Sequence, residues 1–574
     1  MKRRLVLPLL LLIAAGTGVY INTLDGEWVW DDASSILLHR HVQDPSRFAQ
    51  LFREDQHAFG RGQGNFYRPL VSASFMLDYQ LSGGPRPAPD QFRPPMDLSP
   101  RWFHVSNIFW HVLAACLFYL LMIRLEVPVA SALLAALIYT VHPLHTEAVA
   151  YISGRADMMS AAFMYAGLLT GFYAVSRPSW GYAGFPVLFF AMALLSKESS
   201  LIFPVLWIVV LILVYLNQKQ QEELKKSQWS PFNPHTVILT GAIAVTLILY
   251  LVLRNTVLYF GGSDAGGSVK GLGTRLVETG QAFTLYLGLL FYPSGLHMER
   301  SLDGFSVVYS YIGWFLIFLS LALIWFTWRK RWYFAIAGVI WFLAAWLPIS
   351  GIYPLNAPMG EHWMYVPMAG FWLSAITLPW TLIHSNRLKG AFCILIGLFV
   401  VFLGMLTIDR NRVWHDNETL FRDTLAHNPN SIRVHYNLAV TYEDLKQNWS
   451  GARRHYNRVL ALQSVAGPGA GGVPDLELRL ALARVCERMG RFSEAAVHYA
   501  ELATRTDTLL LGVQGLARCM LAMGDGASAF RLREELGKVS ETQPEAVAWL
   551  DRLLAGEVFF GGRVIPHSLK ISTL

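Results

Sequence analysis

The stretch from residue 237 to residue 253 reads VILTGAIAVTLILYLVL and contains no charged side chain. A helix of about 17 to 25 apolar residues is long enough to cross the hydrocarbon core of a bilayer. Comparable runs recur along the chain, which is 53% hydrophobic and only 15% charged. Soluble domains carry roughly 25% charged residues. The sequence therefore predicts an all-α, polytopic membrane domain.

We place this membrane domain at residues 1–408 and expect about eleven spans. The first, 5–21, could instead be a signal peptide, although no A-x-A site ends it. A shorter run at 282–292 is interpreted as re-entrant or interfacial. The other spans are expected near 103–123, 130–145, 158–175, 182–195, 202–215, 237–253, 309–325, 332–349, 364–383 and 392–406.

The basic residues of the loops indicate the orientation, because short cytoplasmic loops are enriched in Lys and Arg. If residues 2–4 are cytoplasmic, the large loop 25–101 lies outside. Alternation then places the following basic positions inside, provided that 282–292 does not cross: Arg124, Arg177, 219–226, 329–331 and 387–389. We therefore expect a multi-pass protein of the inner (cytoplasmic) membrane, with a cytoplasmic N-terminus and a periplasmic C-terminal region.

After residue 408 the composition becomes that of a soluble domain. Leu482 and Leu516 are 34 residues apart, as are Ala495 and Ala529. This is the period of the tetratricopeptide repeat, a stack of helix pairs. We expect a linker at 409–430, an α-solenoid of repeats at 431–554 and a tail at 555–574, and a Gly-rich insertion at 467–472 interrupts the stack.

Two adjacent carboxylates, Asp31 and Asp32, follow two tryptophans just outside the first span. Burial beside aromatic rings and a neighbouring carboxylate both raise a carboxyl pKa. One of the two could then act as a base toward an acceptor hydroxyl. Alternatively, the segment is a solvated turn with a helix cap.

Two basic residues on the same external face could bind a phosphate. Arg68 lies between aromatic residues, and its planar guanidinium suits a phosphate. It could equally place its charge at the membrane interface with its stem on apolar surface. Lys197 could offer a compact positive charge or form a neutral interfacial pair with Glu198.

Other ionisable residues lie at the external ends of spans, where they are candidates for function. His142, His145 and Glu147 do not have a standard zinc spacing, so we expect them to support the site without binding metal. All charged candidates are expected on one membrane face: Asp31, Asp32, Arg68, Arg155, Asp157, Lys197, Glu198 and Glu361. Random charges at helix ends would divide between both faces.

The residues that carry chemistry also resemble a known family, the transmembrane and tetratricopeptide-repeat O-mannosyltransferases. The resemblance covers nearly the whole chain, and its most specific stretch is VHPLHTEAVAYISGRAD at 141–157. It also includes Trp30-Asp31-Asp32, Tyr67-Arg68-Pro69, His104, Asn107, His111, Ser196-Lys197-Glu198, 361–367, Arg412 and Trp414. The family usually has arginine at the position of His362. The short repeat array and basic composition look like those of a bacterial member.

The resemblance implies a class C glycosyltransferase that takes a sugar, mannose or another hexose, from a polyprenyl-phosphate carrier. It implies that Asp31 or Asp32 is catalytic. We expect Arg68, Arg155 or Lys197 to stabilise the charge of the departing phosphate. His142, His145, Glu147, Asp157, Glu198 and Glu361 would support them. No cofactor is firmly implied, and a divalent metal has no support in the sequence.

The expected acceptor is a protein Ser/Thr hydroxyl, with the acceptor docked by the repeats. A net charge of +7 does not indicate nucleic-acid binding, because basic residues of membrane proteins concentrate in cytoplasmic loops. One alternative is a membrane-anchored repeat scaffold for envelope assembly without catalysis. The other is a transporter, which would place ionisable residues near the middle of spans.

Overall fold

The computed structural model describes residues 2–59, 65–86, 94–176, 180–222, 233–258, 270–355, 357–505 and 508–537. The chain divides into two compact units, Met1–Leu420 and Phe421–Leu574, called here the first and the second unit. Helices make up both units, and the described ranges contain no β-strand. The end of the predicted repeats, 538–554, and the predicted tail, 555–574, lie outside the described residues.

Among the described residues, the first unit contains fifteen α-helices, joined by short 3-10 and π-helical turns, and the first turn of a sixteenth that continues into the second unit. They are α1 (Lys2–Tyr20), α2 (Arg40–Gln43), α3 (Pro69–Leu81), α4 (Arg101–Arg124), α5 (Val129–Val141), α6 (Thr146–Ala150), α7 (Arg155–Ser176), α8 (Trp180–Leu194), α9 (Phe203–Glu222), α10 (Pro234–Thr256), α11 (Leu272–Phe291), α12 (Val308–Arg329), α13 (Tyr333–Trp346), α14 (Tyr365–Leu382), α15 (Asn386–Val413) and α16 (Asn417–His427).

Among the described residues, seven helices are long and apolar enough to cross a membrane, or eight if the bent pair α5–α6 forms one span. The seven lie in α1, α4, α7, α9, α10, α12 and α15. The remaining predicted spans correspond to α8 and α13, which are shorter apolar helices, and to α14. The chain is thus a multi-pass membrane protein, and the number of about eleven spans stays a prediction.

Small residues let neighbouring helices of the first unit approach closely. A side chain on Gly370 in α14 would meet the backbone of Phe342 in α13 at 2.6 Å. A side chain on Gly280 in α11 would meet the carbonyl of Ser310 in α12 at 2.5 Å. Close backbone approach at small residues is the usual packing of helices in membranes, where apolar side chains gain little from leaving lipid.

Helix α11 covers the ambiguous run 282–292 except for Tyr292. It is not among the described helices that are long and apolar enough to cross a membrane. Near its start, Arg275 Nη1 donates to the carbonyl of Ile352 at 2.6 Å, and near its end the carbonyl of Leu290 accepts from His142 Nε2 at 3.0 Å. The re-entrant or interfacial interpretation stays a prediction.

In the second unit, each helix packs against the next one along the chain. The small core includes Tyr499 and Ala495, one of the alanines of the 34-residue period. The predicted insertion forms an irregular turn with four glycines of positive φ. The angles are 100° at Gly467, 79° at Gly469, 70° at Gly471 and 72° at Gly472. The helices are α17 (Ile432–Val440), α18 (Trp449–Ala466), α19 (Asp475–Arg488), α20 (Phe492–Leu502), α21 (Leu509–Ala522) and α22 (Gly526–Gly537).

Candidate active site at the charged end of the first unit

The candidate site lies at the end of the first unit where α1 ends and α4, α7, α9 and α14 begin, called here the charged end. Asp32, between Trp30 and the π-helical turn Ala33–Leu37, is fully buried there. Its Oδ1 accepts from the backbone N of Ser153 at 2.8 Å and from Ser153 Oγ at 2.7 Å. Its Oδ2 accepts from the N of Val29 at 3.1 Å. Asp32 thus joins the loop after α1 to the turn before α7.

Burial raises the pKa of Asp32 to about 7, although the bonds from Ser153 and Val29 oppose this shift. A carboxylate with three protein donors and no exposed surface has little room for an acceptor hydroxyl. Asp32 is therefore placed to hold the loop in position.

Asp31 has a different environment, because it is partly exposed. The buried phenol of Tyr151 lies near Asp31. Burial raises the pKa of Tyr151 well above its usual value, and the charge of Asp31 adds to this shift, so the phenol stays protonated beside the carboxylate. Asp31 therefore combines a protonated neighbour with access to solvent, which a general base requires.

His57 links the turn of Asp31 to a cationic group. Its Nδ1 lies 3.1 Å from the hydroxyl of Ser34 and 3.1 Å from that of Ser35. Burial lowers the pKa of His57 to about 4, and the charge of Arg68 adds to this shift. His57 is thus neutral at pH 7 and bridges the aspartate turn to the neighbourhood of Arg68.

Two ion pairs supply the cations of this region. Arg68 contacts Glu198 Oε2 from Nε at 3.3 Å and from Nη2 at 3.2 Å, and it lies over the ring of Phe66. Among the residues that the structure describes, its Nη1 makes no hydrogen bond. Lys197 Nζ contacts Asp157 Oδ1 at 2.6 Å. An ammonium has three donors, so two remain for another ligand.

Burial lowers the pKa of Lys197, and Asp157 opposes this shift. Only 11% of the Lys197 side chain and 15% of the Arg68 side chain are exposed. The two cations are thus partly screened from water but retain free donors, as a phosphate site needs.

Arg155 is less available than these two cations, and its phosphate contact stays a prediction. Its guanidinium is fully buried and forms an ion pair with Asp78 at 2.5 Å. Further donors go to Asn107 Oδ1 at 2.7 Å, Ser74 Oγ at 3.1 Å and the carbonyl of Phe103 at 2.9 Å. Arg155 therefore ties α7 to α3 and α4 and uses most of its N–H donors within the fold.

The histidines of the 141–157 stretch are buried in the fold. His142 Nε2 donates to the carbonyl of Leu290, and its Nδ1 accepts from the N of Leu144 at 3.2 Å. His145 is fully buried between the rings of Tyr139 and Tyr365, with centroid distances of 4.7 and 4.4 Å. Both residues support the shape of the charged end from within.

A second buried ion network braces the start of α14. Glu147 contacts His362 twice, at Nδ1 and at the backbone N, both at 3.0 Å. Glu361 is nearly fully buried and pairs with Arg300 at 3.0 Å, while Arg410 lies 4.0 Å away. The position where the resembling family usually has arginine therefore holds a histidine that faces a carboxylate. In the described ranges, no group of three or more His, Cys, Asp or Glu side chains is arranged to hold a metal.

Sequence reasoning missed several partners because they lie far away along the chain. Asp78, Ser153, Arg300 and Asn417 all contact site segments, yet none stands out by local pattern. Ser153 lies within the 141–157 stretch that resembles the family, and this membership is the one sequence signal that could have indicated its role. The others needed the three-dimensional structure.

The fold and the charged end together define a multi-pass helical membrane protein with convergent ionisable groups at one end of its helices. No protein-family model matches the chain. Protein O-mannosyl-transferase TMTC3 of Mus musculus is 22% identical over 542 residues, covering 88% of this chain and 56% of that protein. Protein O-mannosyl-transferase TMTC4 of Homo sapiens is 24% identical over 490 residues, covering 76% of this chain and 64% of that protein. Protein O-mannosyl-transferase Tmtc1 of Drosophila melanogaster is 31% identical over 186 residues, covering 32% of this chain and 20% of that protein.

The homologues of this chain are therefore protein O-mannosyl-transferases of the TMTC family, which confirms the resemblance found in the sequence. The chain spans about half to two thirds of the length of the first two of these relatives. A bacterial type of this family stays a prediction.

One solved structure was also similar, that of an Archaeoglobus fulgidus oligosaccharyltransferase tethered with an acceptor peptide. Its TM-score is 0.40 at 12% identity, covering 79% of this chain and 58% of that one. This similarity is too small to say more about the fold or the function.

Proposed function

We propose that the chain is a membrane glycosyltransferase. It moves mannose or another hexose from a polyprenyl-phosphate carrier to the hydroxyl of a protein serine or threonine. The observation that carries this proposal is the chain of contacts from the partly exposed Asp31 through His57 to the neighbourhood of Arg68 and Lys197. The homologous O-mannosyl-transferases support the class of reaction.

In this proposal Asp31 accepts the proton of the acceptor hydroxyl. The hydroxyl oxygen forms a bond to C1 of the sugar while the bond from C1 to the carrier phosphate breaks. The electron pair leaves with the polyprenyl phosphate, so the transfer inverts the configuration at C1. Positioned proton transfer of this kind typically contributes about a hundredfold to ten-thousandfold in rate.

Arg68 and Lys197 stabilise the charge that develops on the departing phosphate. Both have donors that no described residue occupies, and both are partly buried, which strengthens their electrostatic effect. Asp157 and Glu198 keep these cations in place before the donor binds. Arg155 acts on the fold, as its buried contacts indicate.

We further propose that the second unit docks the acceptor protein. A groove of about 740 Å³ lies between α19 and α21, and its lining includes Arg484, Tyr499, Gln514 and Arg518. Stacked helix pairs of the predicted repeat type present extended concave surfaces that suit peptides. In the same proposal the charged end and the second unit face the periplasm, so a reporter active only in the cytoplasm should be silent when fused after Leu574.

The function is tested with the purified full chain, a polyprenyl-phosphate mannose and a peptide that contains serine and threonine. Mass spectrometry should find one hexose per modified hydroxyl. A peptide with alanine at those positions should remain unmodified, and a nucleotide-linked mannose should not replace the lipid donor. If no polyprenyl-phosphate hexose yields product, the proposal is wrong and the scaffold alternative gains support.

Acceptor docking is tested by filling the groove. Gln514→Trp should raise the KM for a full-size acceptor protein, because the larger ring occupies the space between α19 and α21. The KM for a short peptide should change little. Val497→Trp, an equally large change at a position that is 67% exposed and outside the groove, is the matched control. Equal effects of Gln514→Trp on both acceptors would contradict docking in this groove.

A further inference from the structure

The segment that follows the last long apolar helix contacts the loop that holds Asp31. Asn417 Oδ1 accepts from the backbone N of Trp30 at 2.9 Å, and its Nδ2 donates to the carbonyl of Trp28 at 3.4 Å. Two residues earlier, the carbonyl of His415 accepts from the backbone N of Glu27 at 2.7 Å. The side chain of Asn417 and the backbone of His415 therefore bind the loop 27–30, although they lie almost 390 residues further along the chain.

The backbone at Trp30 needs such support. Its φ is 50°, a left-handed conformation that is uncommon for a residue with a side chain. Conformations of this type persist when their surroundings hold them, and they occur often at functional sites. The Asn417 bond falls on the N–H of this same residue, immediately before Asp31.

A second contact from this segment reaches a neighbour of the carboxylate. Trp414 is 2% exposed, and its ring stacks on that of Tyr151 at a centroid distance of 5.7 Å and an angle of 28°. Tyr151 is the buried phenol beside Asp31, whose charge acts on it. Trp414 therefore holds the ring that lies next to the proposed base.

Asn417 is the first residue of α16, and its neighbour Asp416 caps this helix. Asp416 Oδ1 accepts from the backbone N of Thr419 at 2.9 Å in the first turn. Because Asp416 performs the capping, the amide of Asn417 is available for the loop.

We propose that Asn417 is a positioning residue for Asp31, and that Trp414 assists it through Tyr151. The amide fixes the backbone before the base, and the stacked rings hold the phenol beside its carboxylate. This inference rests on the proposed glycosyl transfer, because it explains the contacts of Asn417 and Trp414, called here the clamp on the loop, by the need to orient the base of that reaction.

The first test compares two variants at this position in the full chain. Asn417→Ala removes both bonds and should lower kcat about 10- to 100-fold, with the KM for the lipid donor unchanged, because small displacements of a reacting group cost up to about a hundredfold. Asn417→Asp keeps the oxygen that accepts from Trp30. It loses only the longer bond to Trp28, so it should lose about twofold to tenfold.

The second test does not need the reaction. Hydrogen–deuterium exchange of the segment 27–32 should rise in Asn417→Ala. Asn411→Ala is the matched control, since Asn411 is buried and its Nδ2 bonds to the carbonyl of Val19 and to Asn22, both at 2.8 Å, away from the loop. That control should lower the melting temperature without raising exchange in 27–32.

Two results would overturn the inference. One is Asn417→Ala with kcat within about twofold of the unchanged chain. The other is exchange in 27–32 that rises equally in Asn417→Ala and Asn411→Ala, which would assign Asn417 a general structural role. If the unchanged chain transfers no sugar while exchange responds as expected, the proposed function fails but the clamp on the loop stands.

Discussion

The two units of this molecule place their charged side chains in opposite environments. At the charged end of the first unit, the ion pair of Arg155 and Asp78 has side-chain exposures of 0% and 3%. In the second unit, the pair of Arg491 and Glu494 has exposures of 46% and 35%. Removing an ion from water costs several kcal/mol, whereas exposed pairs contribute about 0 to 1 kcal/mol.

This difference indicates what each unit does. The first unit maintains a costly set of buried and half-buried ions at one end, where perturbed carboxylates and cations meet. Such clusters are frequent at functional sites, although ion pairs that only support the fold also form them. The second unit keeps the pair of Arg491 and Glu494 in water, although Glu443 is buried against Arg484. The proposed chemistry in the first unit and the proposed docking on the second fit this contrast.

The largest change in stability is expected at Arg155. Arg155→Ala leaves Asp78 buried without its cation and should lower the free energy of unfolding by about 3 to 5 kcal/mol. Arg155→Lys keeps a charge but cannot supply the four contacts of the guanidinium, so it should also be destabilised. Thermal unfolding of the detergent-purified chain measures both. A stable Arg155→Ala protein without transfer activity would instead favour a direct contact with substrate.

A smaller effect is expected at Arg68, which has a donor available for phosphate. Arg68→Gln should raise the KM for the lipid donor about tenfold, because bonds to charged groups contribute about 1.5 to 3 kcal/mol and solvent screens part of this. Arg53→Gln, an exposed arginine in the same loop, is the matched control and should leave the KM unchanged. An unchanged KM in Arg68→Gln would remove this residue from the donor site.

The smallest effect is expected for the exposed pair of the second unit. Arg491→Ala should change the free energy of unfolding by less than about 1 kcal/mol, because both partners are well solvated. The same substitution type in the two units would then differ several-fold in its effect. Similar losses in Arg491→Ala and Arg155→Ala would break the contrast between the units.

The helical membrane fold could be predicted from the sequence, because apolar runs depend on local pattern. This fold and the family resemblance are confirmed, and the repeat type that the 34-residue period indicates stays a prediction. Helix α11 shows the limit of this reasoning, because composition located only 282–292 while the helix runs over Leu272–Phe291. Whether it crosses depends on where its ends lie, and only contacts across the bundle give that information.

Most residues of the candidate site could be named from the sequence, but the role of each one could not. Asp31 and Asp32 are neighbours with the same chemistry, yet one is partly exposed and the other is fully buried against Ser153. Arg155 was expected to be a phosphate ligand, and in the fold it is a buried cation with four contacts to α3 and α4. Asn417 could not be found at all, because its contacts to Trp28 and Trp30 cross the whole first unit.

The difference between Asp31 and Asp32 tests the account most directly. Sugar transfer by Asp31→Asn and Asp32→Asn should be measured in the same assay, with membrane insertion and folding verified for both. Asp31→Asn should lose about a hundredfold to ten-thousandfold in rate because the base is gone. Asp32→Asn should lose less, because its Oδ1 can still accept from Ser153 and only the acceptor for the N of Val29 is replaced by a donor. Full activity in Asp31→Asn, or a greater loss in Asp32→Asn, would contradict the assignment of Asp31 as the base.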